Sequence, residues 1–245
     1  MFSQRVTWGG LKCWAMHGAP EGEQPSLAVV LCHGYGAPGT DLVPLAEAIW
    51  EIAPELQARV AFVFPTAPHS LDEMGMLGGR AWWPLDLDRI LNRRTLETLL
   101  EFRRATPPGL TDSRARIVAL VDHLREQFGL ATSQIVLGGF SQGAMLATDV
   151  ALHLPEPPAA LAILSGGVIC EAEWQRLASV RGPLRVLQSH GRADQILPYS
   201  EAEQLRQILE SGGSALEFLP FAGGHEIPAR VLERFAALLV RRLHH

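Results

Sequence analysis

Ser141 lies in Gly139-Phe140-Ser141-Gln142-Gly143, with a glycine two residues away on each side. A serine hydroxyl attacks a carbonyl carbon only when a base takes its proton and a third group holds that base in the correct tautomer. The G-x-S-x-G spacing places such a serine on a strained strand-to-helix turn, and the glycines allow close backbone approach around it. The flanks have the required character. Ile135, Val136 and Leu137 form a short apolar run suited to a buried strand, and Ala144, Met145, Leu146 and Ala147 favour a helix. The plainer reading is a glycine-rich β–α turn with a serine at the helix start.

In an α/β hydrolase the partners of such a serine follow in the order acid, then histidine, and groups of this kind gather beyond the carboxyl ends of parallel strands. Asp194 follows the apolar run Leu184 to Gln188, in His190-Gly191-Arg192-Ala193-Asp194. Its plainer role is to cap the helix after Pro198. His225 follows the run Ala215 to Phe221 and is preceded by Gly223-Gly224. Among competitors, Asp122, Asp149, Glu171 and Glu173 fall within or at the start of expected helices. His190 shares a loop with the acid and reads as structural. A tetrahedral intermediate also needs two N–H donors. The Gln142 amide supplies one, and His33-Gly34-Tyr35-Gly36 offers the Tyr35 amide as the other. Cys32 beside His33 is an alternative nucleophile, although a cysteine ending an apolar strand is more often a small buried hydrophobe.

The elements that must position these groups alternate along the chain. A hairpin is expected over Arg5 to His17 around Gly9-Gly10, and a buried strand over Leu27 to Cys32. A helix capped by Asp41 should run through Ala53, followed by a strand at Arg59 to Phe64. An Arg-rich helix is expected at Arg93 to Arg104, and Pro107-Pro108-Gly109 precedes a helix opened by Asp112 and stopped by Gly129. Strands are expected at Ala159 to Leu164, Leu184 to Gln188 and Ala215 to Phe221, with helices at Ser200 to Glu210 and Ile227 to Leu243. This alternation predicts an α/β fold, a mostly parallel sheet with helices on both faces. The chain is expected to be a single domain, with residues 69–111 as an insertion covering the substrate. Met74, Met76, Leu77, Trp82, Trp83 and Leu85 follow no helical or strand period there and are expected to line an acyl pocket. The competing reading is that the two tryptophans plug this loop onto the core.

Composition narrows the classes. At 245 residues, with 47% hydrophobic and 19% charged residues, the chain can bury a full globular core. A net charge of -5 argues against a nucleic-acid partner. Three cysteines without paired spacing suit a reducing, cytoplasmic setting. No signal peptide is read in Met1 to Ser26, and no apolar stretch is long enough to span a membrane. The nine histidines show no H-E-x-x-H or H-x-H spacing, so a metal-dependent hydrolase is not expected.

Taken together, His33-Gly34-Tyr35-Gly36, Gly139 to Gly143, His190 to Asp194 with Pro198, and Gly224-His225-Glu226-Ile227 resemble the phospholipase/carboxylesterase family of α/β hydrolases, which includes acyl-protein thioesterases. The resemblance runs from about Leu27 to the C-terminus. It implies a cofactor-free serine hydrolase acting on small carboxylic esters or thioesters through an acyl-enzyme, with Ser141, Asp194 and His225 as its triad. The chain departs from the thioesterase pattern at Ala37, where those relatives usually carry an aspartate. A non-catalytic, ligand-binding protein on the same fold would be expected to have lost the serine or the histidine, and both are present. Acyl length, leaving group and the choice between monomer and homodimer stay open.

Overall fold

The computed structural model describes residues 2–85 and 96–244. Its frame is one eight-stranded sheet. Phe2–Trp8 (β1) and Leu11–His17 (β2) form the antiparallel hairpin, and Gly9 and Gly10 adopt φ of +54° and +76° at its two-residue turn. Both positions need a left-handed backbone, which glycine adopts without steric cost.

Leu27–Cys32 (β3), Val60–Pro65 (β4), Ile135–Phe140 (β7), Ala160–Leu164 (β8), Arg185–Gly191 (β9) and Ala215–Phe221 (β10) complete the main sheet. Its order is β1-β2-β4-β3-β7-β8-β9-β10. β2 pairs antiparallel with β4, and every later pairing is parallel. His69–Ser70 (β5) and Arg80–Ala81 (β6) make a separate two-stranded ribbon.

The helices are Pro44–Ile52 (α1), Leu96–Arg104 (α2), Leu110–Phe128 (α3), Gln142–His153 (α4), Glu171–Arg181 (α5), Tyr199–Ser211 (α6) and Ala229–Leu243 (α7). Strand alternation shows why both sheet faces are covered. In β3, Ala28, Val30 and Cys32 pack into the core containing α3, α4, α5 and α6, while Leu27, Val29 and Leu31 pack against α1 and α7. All six β3 residues are buried.

Several boundaries differ from expectation for local reasons. α1 begins at Pro44 and Asp41 makes no cap, because proline at the first helical position presets the helical φ. α3 begins at Leu110 behind Gly109, whose φ is +90°, so Asp112 lies in its first turn. β9 continues to Gly191 and takes His190 into the sheet, because its pairing with β10 extends to Phe221. The Arg-rich helix is seen from Leu96; the expected start at 93–95 lies outside the described residues.

Candidate active site

Ser141 joins the central strand β7 to α4 with φ 55° and ψ −119°, a conformation that side chains rarely adopt and that costs of order 1–3 kcal/mol. The surroundings enforce it. Any Cβ on Gly143 would collide with the Cys32 carbonyl, and one on Gly139 would collide with the Gly143 backbone. β3 and the elbow therefore approach each other backbone to backbone. The Ser141 amide donates to Leu164 O at 3.0 Å, and Ser141 O accepts from the Ala144 amide at 3.0 Å.

Asp194 lies three residues beyond β9. Its Oδ1 accepts from the Ile196 and Leu197 amides at 2.8 and 2.9 Å, and its Oδ2 lies 2.7 Å from His225 Nδ1. The carboxylate thus organises its own loop rather than capping α6. Burial alone would raise its pKa. The bonds from His225, Leu197 and Ile196 outweigh burial and hold it below the ordinary carboxylate value. The contact with Asp194 selects the tautomer in which Nδ1 carries the hydrogen and Nε2 the lone pair. The His225 ring also leans on Phe140, with centroids 4.7 Å apart.

The competing groups have other partners. His190 Nε2 donates to Leu197 O at 2.8 Å and lies 3.3 Å from Asp194 Oδ2, and burial lowers its pKa, so it is a neutral strut beneath the acid loop. Asp149 is fully buried between Arg114 and the Trp174 indole N–H. His33 accepts the Ala67 amide at Nε2, which leaves Nδ1–H to donate to Gly34 O at 2.8 Å. Burial pushes the Cys32 thiol far above its usual value and that of Cys13 to about 12, so neither offers a thiolate.

Ser141 and His225 share the wall of a cavity of about 290 Å³. Gly34, Tyr35, Ala37 and Asp41 form one side, and Gln142 lies beside Ser141. In the first of these loops the Gly36 amide donates to Arg80 O at 2.9 Å and the Ala37 amide to Gly34 O at 3.3 Å. The Tyr35 and Gln142 amides have no partner among the described residues. The remaining wall is apolar and includes Trp83, Leu85, Phe102, Met145, Ile196 and Leu197.

The six residues expected to line a pocket divide. Trp83 and Leu85 line the cavity; Met74, Met76, Leu77 and Trp82 do not. Residues 70–79 curl into a tight turn in which Asp72 accepts from Ser70 Oγ and the Gly78 amide. That turn leaves Met74 56% and Leu77 89% exposed at its tip, while Met76 packs on Gly36. Trp82 is a core plug. It is fully buried, and its indole donates to His33 O at 2.9 Å.

Sequence reasoning missed Phe102, Met145, Ile196 and Leu197. Met145 had a signal, since it stands one helical turn beyond Ser141. Ile196 and Leu197 had one too, as apolar residues directly after the acid. Phe102 had none, because its place depends on how α2 docks.

A serine on a strained elbow, sharing a cavity wall with a histidine bound to a carboxylate in an α/β sheet, defines a hydrolase class. The profile of the phospholipase/carboxylesterase family matches residues 19–240, and the chain belongs to that family. It is a carboxylic ester hydrolase of the serine type, with activity toward esters or thioesters. Acyl-protein thioesterase 1 of Eremothecium gossypii is 28% identical over 92% of each chain, and that of Saccharomyces cerevisiae is 26% identical over 88% of this chain and 92% of its own. The crystal structure of esterase PE8 superposes with a TM-score of 0.75 at 30% identity, covering 93% of this chain and 96% of that one. A carboxylesterase of Mesorhizobium loti shares the fold, with a TM-score of 0.71 at 20% identity over 96% and 98% of the two chains. No helix among the described residues is long and apolar enough to cross a membrane.

Proposed function

We propose that the chain hydrolyses esters or thioesters of short to medium acyl groups, with Ser141 as nucleophile, His225 as base and Asp194 as its orienting acid. The observation that carries this reading is the shared cavity, in which Ser141 and His225 meet a mostly apolar wall of about 290 Å³. That volume is at the lower end of ligand cavities, so it suits an acyl group and leaves the alcohol or thiol portion outside.

In this reading Ser141 Oγ attacks the acyl carbon as His225 Nε2 takes its proton. The Tyr35 and Gln142 amides receive the oxyanion. His225 then returns the proton to the departing alcohol or thiol, leaving an acyl-enzyme. Water attacks that ester with His225 again as base, and Ser141 is released. The thioesterase relatives support a thioester among the substrates, and the three buried free cysteines suit a cytoplasmic setting. Residues 80–85 and α2 act as the substrate-covering part of the 69–111 insertion.

The test is a chain-length series of p-nitrophenyl esters beside matched acyl thioesters, run with wild type and Ser141→Ala. Wild type should show a maximum at short or medium chains. The alanine variant should lose several orders of magnitude for every substrate, with an unchanged melting temperature. A fluorophosphonate that labels another serine would sink the assignment.

A further inference from the structure

A second, larger cleft of about 860 Å³ lies outside the catalytic cavity. Arg5, Lys12, Arg80 and Arg116 line it, and among the described residues no carboxylate does, in a chain with 26 acidic and 21 basic residues. Strand register explains how the first two come together. Arg5 faces Trp14 and Thr7 faces Lys12 across the β1–β2 hairpin, so all four share one sheet face. Arg5 and Lys12 are then diagonal neighbours, with backbones about 7–8 Å apart. Two like charges so placed reinforce one another's field and favour an anion beside them.

The protein itself supplies little counter-charge. Arg5 lies over the Trp14 ring at 5.9 Å, and among the described residues neither it nor Lys12 makes an ion pair. Arg80 donates to the carbonyls of Ala67 and Pro68 at 2.9 and 2.7 Å, which fixes the guanidinium without neutralising it. Asp72, whose carboxyl feels the Arg80 charge, is turned onto Ser70 and Gly78. Among the described residues only Arg116 of these cations has an acidic ion-pair partner, Asp112 at 2.9 Å, and that pair is solvent-exposed. Thr7, Thr40 and Thr66 add hydroxyls to the lining.

We propose that this cleft binds phosphate-bearing groups with two or more negative charges. The requirement is neighbouring cations with donors outside any ion pair, and the Arg5 guanidinium and Lys12 ammonium, on one face of the hairpin, meet it. Its placement couples it to catalysis. Pro38, Gly39 and Thr40 face the cleft, while Gly34, Tyr35, Ala37 and Asp41 of the same loop face the catalytic cavity. The phosphate belongs either to the leaving portion of a substrate crossing that loop or to a separate phosphate compound.

The test is calorimetric titration of pyrophosphate into wild type, Ser141→Ala and the double variant Arg5→Ser/Lys12→Ser. Saturable binding that weakens as salt rises is expected in the first two. The double variant should bind at least about tenfold more weakly, having lost charge-assisted bonds from two cations. Its kcat/KM for a neutral ester should stay within about twofold of wild type, since both residues are exposed and outside the catalytic cavity. Chain-matched neutral and phosphate-bearing esters then identify the source. A loss confined to the phosphate-bearing ester assigns the phosphate to the substrate, and equal hydrolysis of both assigns it to a separate ligand. Absence of saturable binding to wild type, or equal affinity in the double variant, overturns the site. Because Ser141→Ala retains the cleft, binding is judged independently of the esterase mechanism.

Discussion

The two sides of the catalytic cavity are built by different means. The side carrying Ser141, Gln142 and Tyr35 is fixed by the main chain. Gly139 and Gly143 let β7 and α4 press against β3 where no side chain would fit, and β7 is held by its two parallel neighbours, β3 and β8. The side carrying Trp83, Leu85 and Phe102 hangs on a few side chains. Gln142 Oε1 accepts the Trp82 amide and its Nε2 donates to Trp83 O, both at 2.9 Å. Arg103, next to Phe102, donates from Nε to both carboxylate oxygens of Glu201, at 2.9 and 3.1 Å. A chemical wall set by backbone resists substitution. A wall set by side-chain anchors can change shape while the reaction is preserved.

The strips at Arg80 and Trp82 join these two sides. Arg80 exchanges main-chain bonds with Gly36 and Ala37, two residues later Trp82 bonds to Gln142, and Ser113 Oγ donates to Trp82 O. The Tyr35 loop, which follows β3, and Gln142, which opens α4, are thereby tied to one short segment. In the proposed mechanism this is the pre-organisation that receiving an oxyanion requires.

The largest effect is expected on the backbone-built side. Asp194→Asn keeps an acceptor for the Ile196 and Leu197 amides but favours the wrong imidazole tautomer of His225. We expect kcat to fall by about 10³ to 10⁴-fold, while the melting temperature falls only slightly. Steady-state kinetics and thermal melts check this together. Near-normal turnover would remove Asp194 from the proposed mechanism.

This contrast also accounts for what could be read from the sequence. The elbow, the Asp194 loop and the His225 loop were legible because each depends on local chain chemistry: an apolar strand, a turn rich in glycine, then a helix or a second strand. The parallel sheet was legible for the same reason. The cavity wall was not, since Trp82 and Trp83 are adjacent, equally aromatic and both buried, yet one plugs the core and the other lines the cavity. What separates them is the long-range pairing of this strip with Gln142 and His33, about 60 and 49 residues distant. Met74 and Leu77 looked like pocket material by composition. The Asp72 turn that exposes them is a side-chain-to-backbone arrangement that hydropathy does not register.

The next effect in size concerns Trp83. Its side chain lines the cavity and is 1% exposed, and its indole nitrogen has no partner among the described residues. Trp83→Ala should cost roughly 1–3 kcal/mol in kcat/KM for the preferred acyl chain and much less for acetate. Because the residue is also buried, melting temperature should fall as well. Trp82→Ala separates the two roles. It should lower stability by several kcal/mol and reduce activity on all chain lengths alike. Identical chain-length profiles in the two variants would dissolve the distinction between them.

A smaller effect is expected from the anchor at α2. Glu201 is fully buried and Arg103 nearly so, which makes their pair the fixed point beside Phe102. Glu201→Gln keeps the shape, removes the charge and leaves Arg103 close enough to the surface to hydrate. A loss of about 1–3 kcal/mol in stability is expected, together with a broader acyl-length profile and unchanged kcat for acetate. A profile as sharp as wild type would show that α2 is held by other contacts.

The smallest effect is in pH dependence, and it tests the chemical side from beneath. His33 and His190 are buried as neutral rings that brace the Tyr35 and Asp194 loops, and burial lowers the pKa of each below 6.5. Once unfolded, both take up a proton near the ordinary value. Between the folded and unfolded pKa the unfolded chain therefore binds more protons, and stability falls as pH drops below about 6.5. Asp194 has the depressed pKa of a bonded carboxylate, so its contribution persists through this range and is lost only as pH falls through its folded value, below 3.8. Melting temperature measured between about pH 7 and pH 5 should thus decline on acidification without involving the acid. His190→Gln retains a donor for Leu197 O but has no proton to gain, so its decline should be shallower than that of wild type. Equal slopes in the two proteins would show that His190 is not among the groups that couple the catalytic wall to pH.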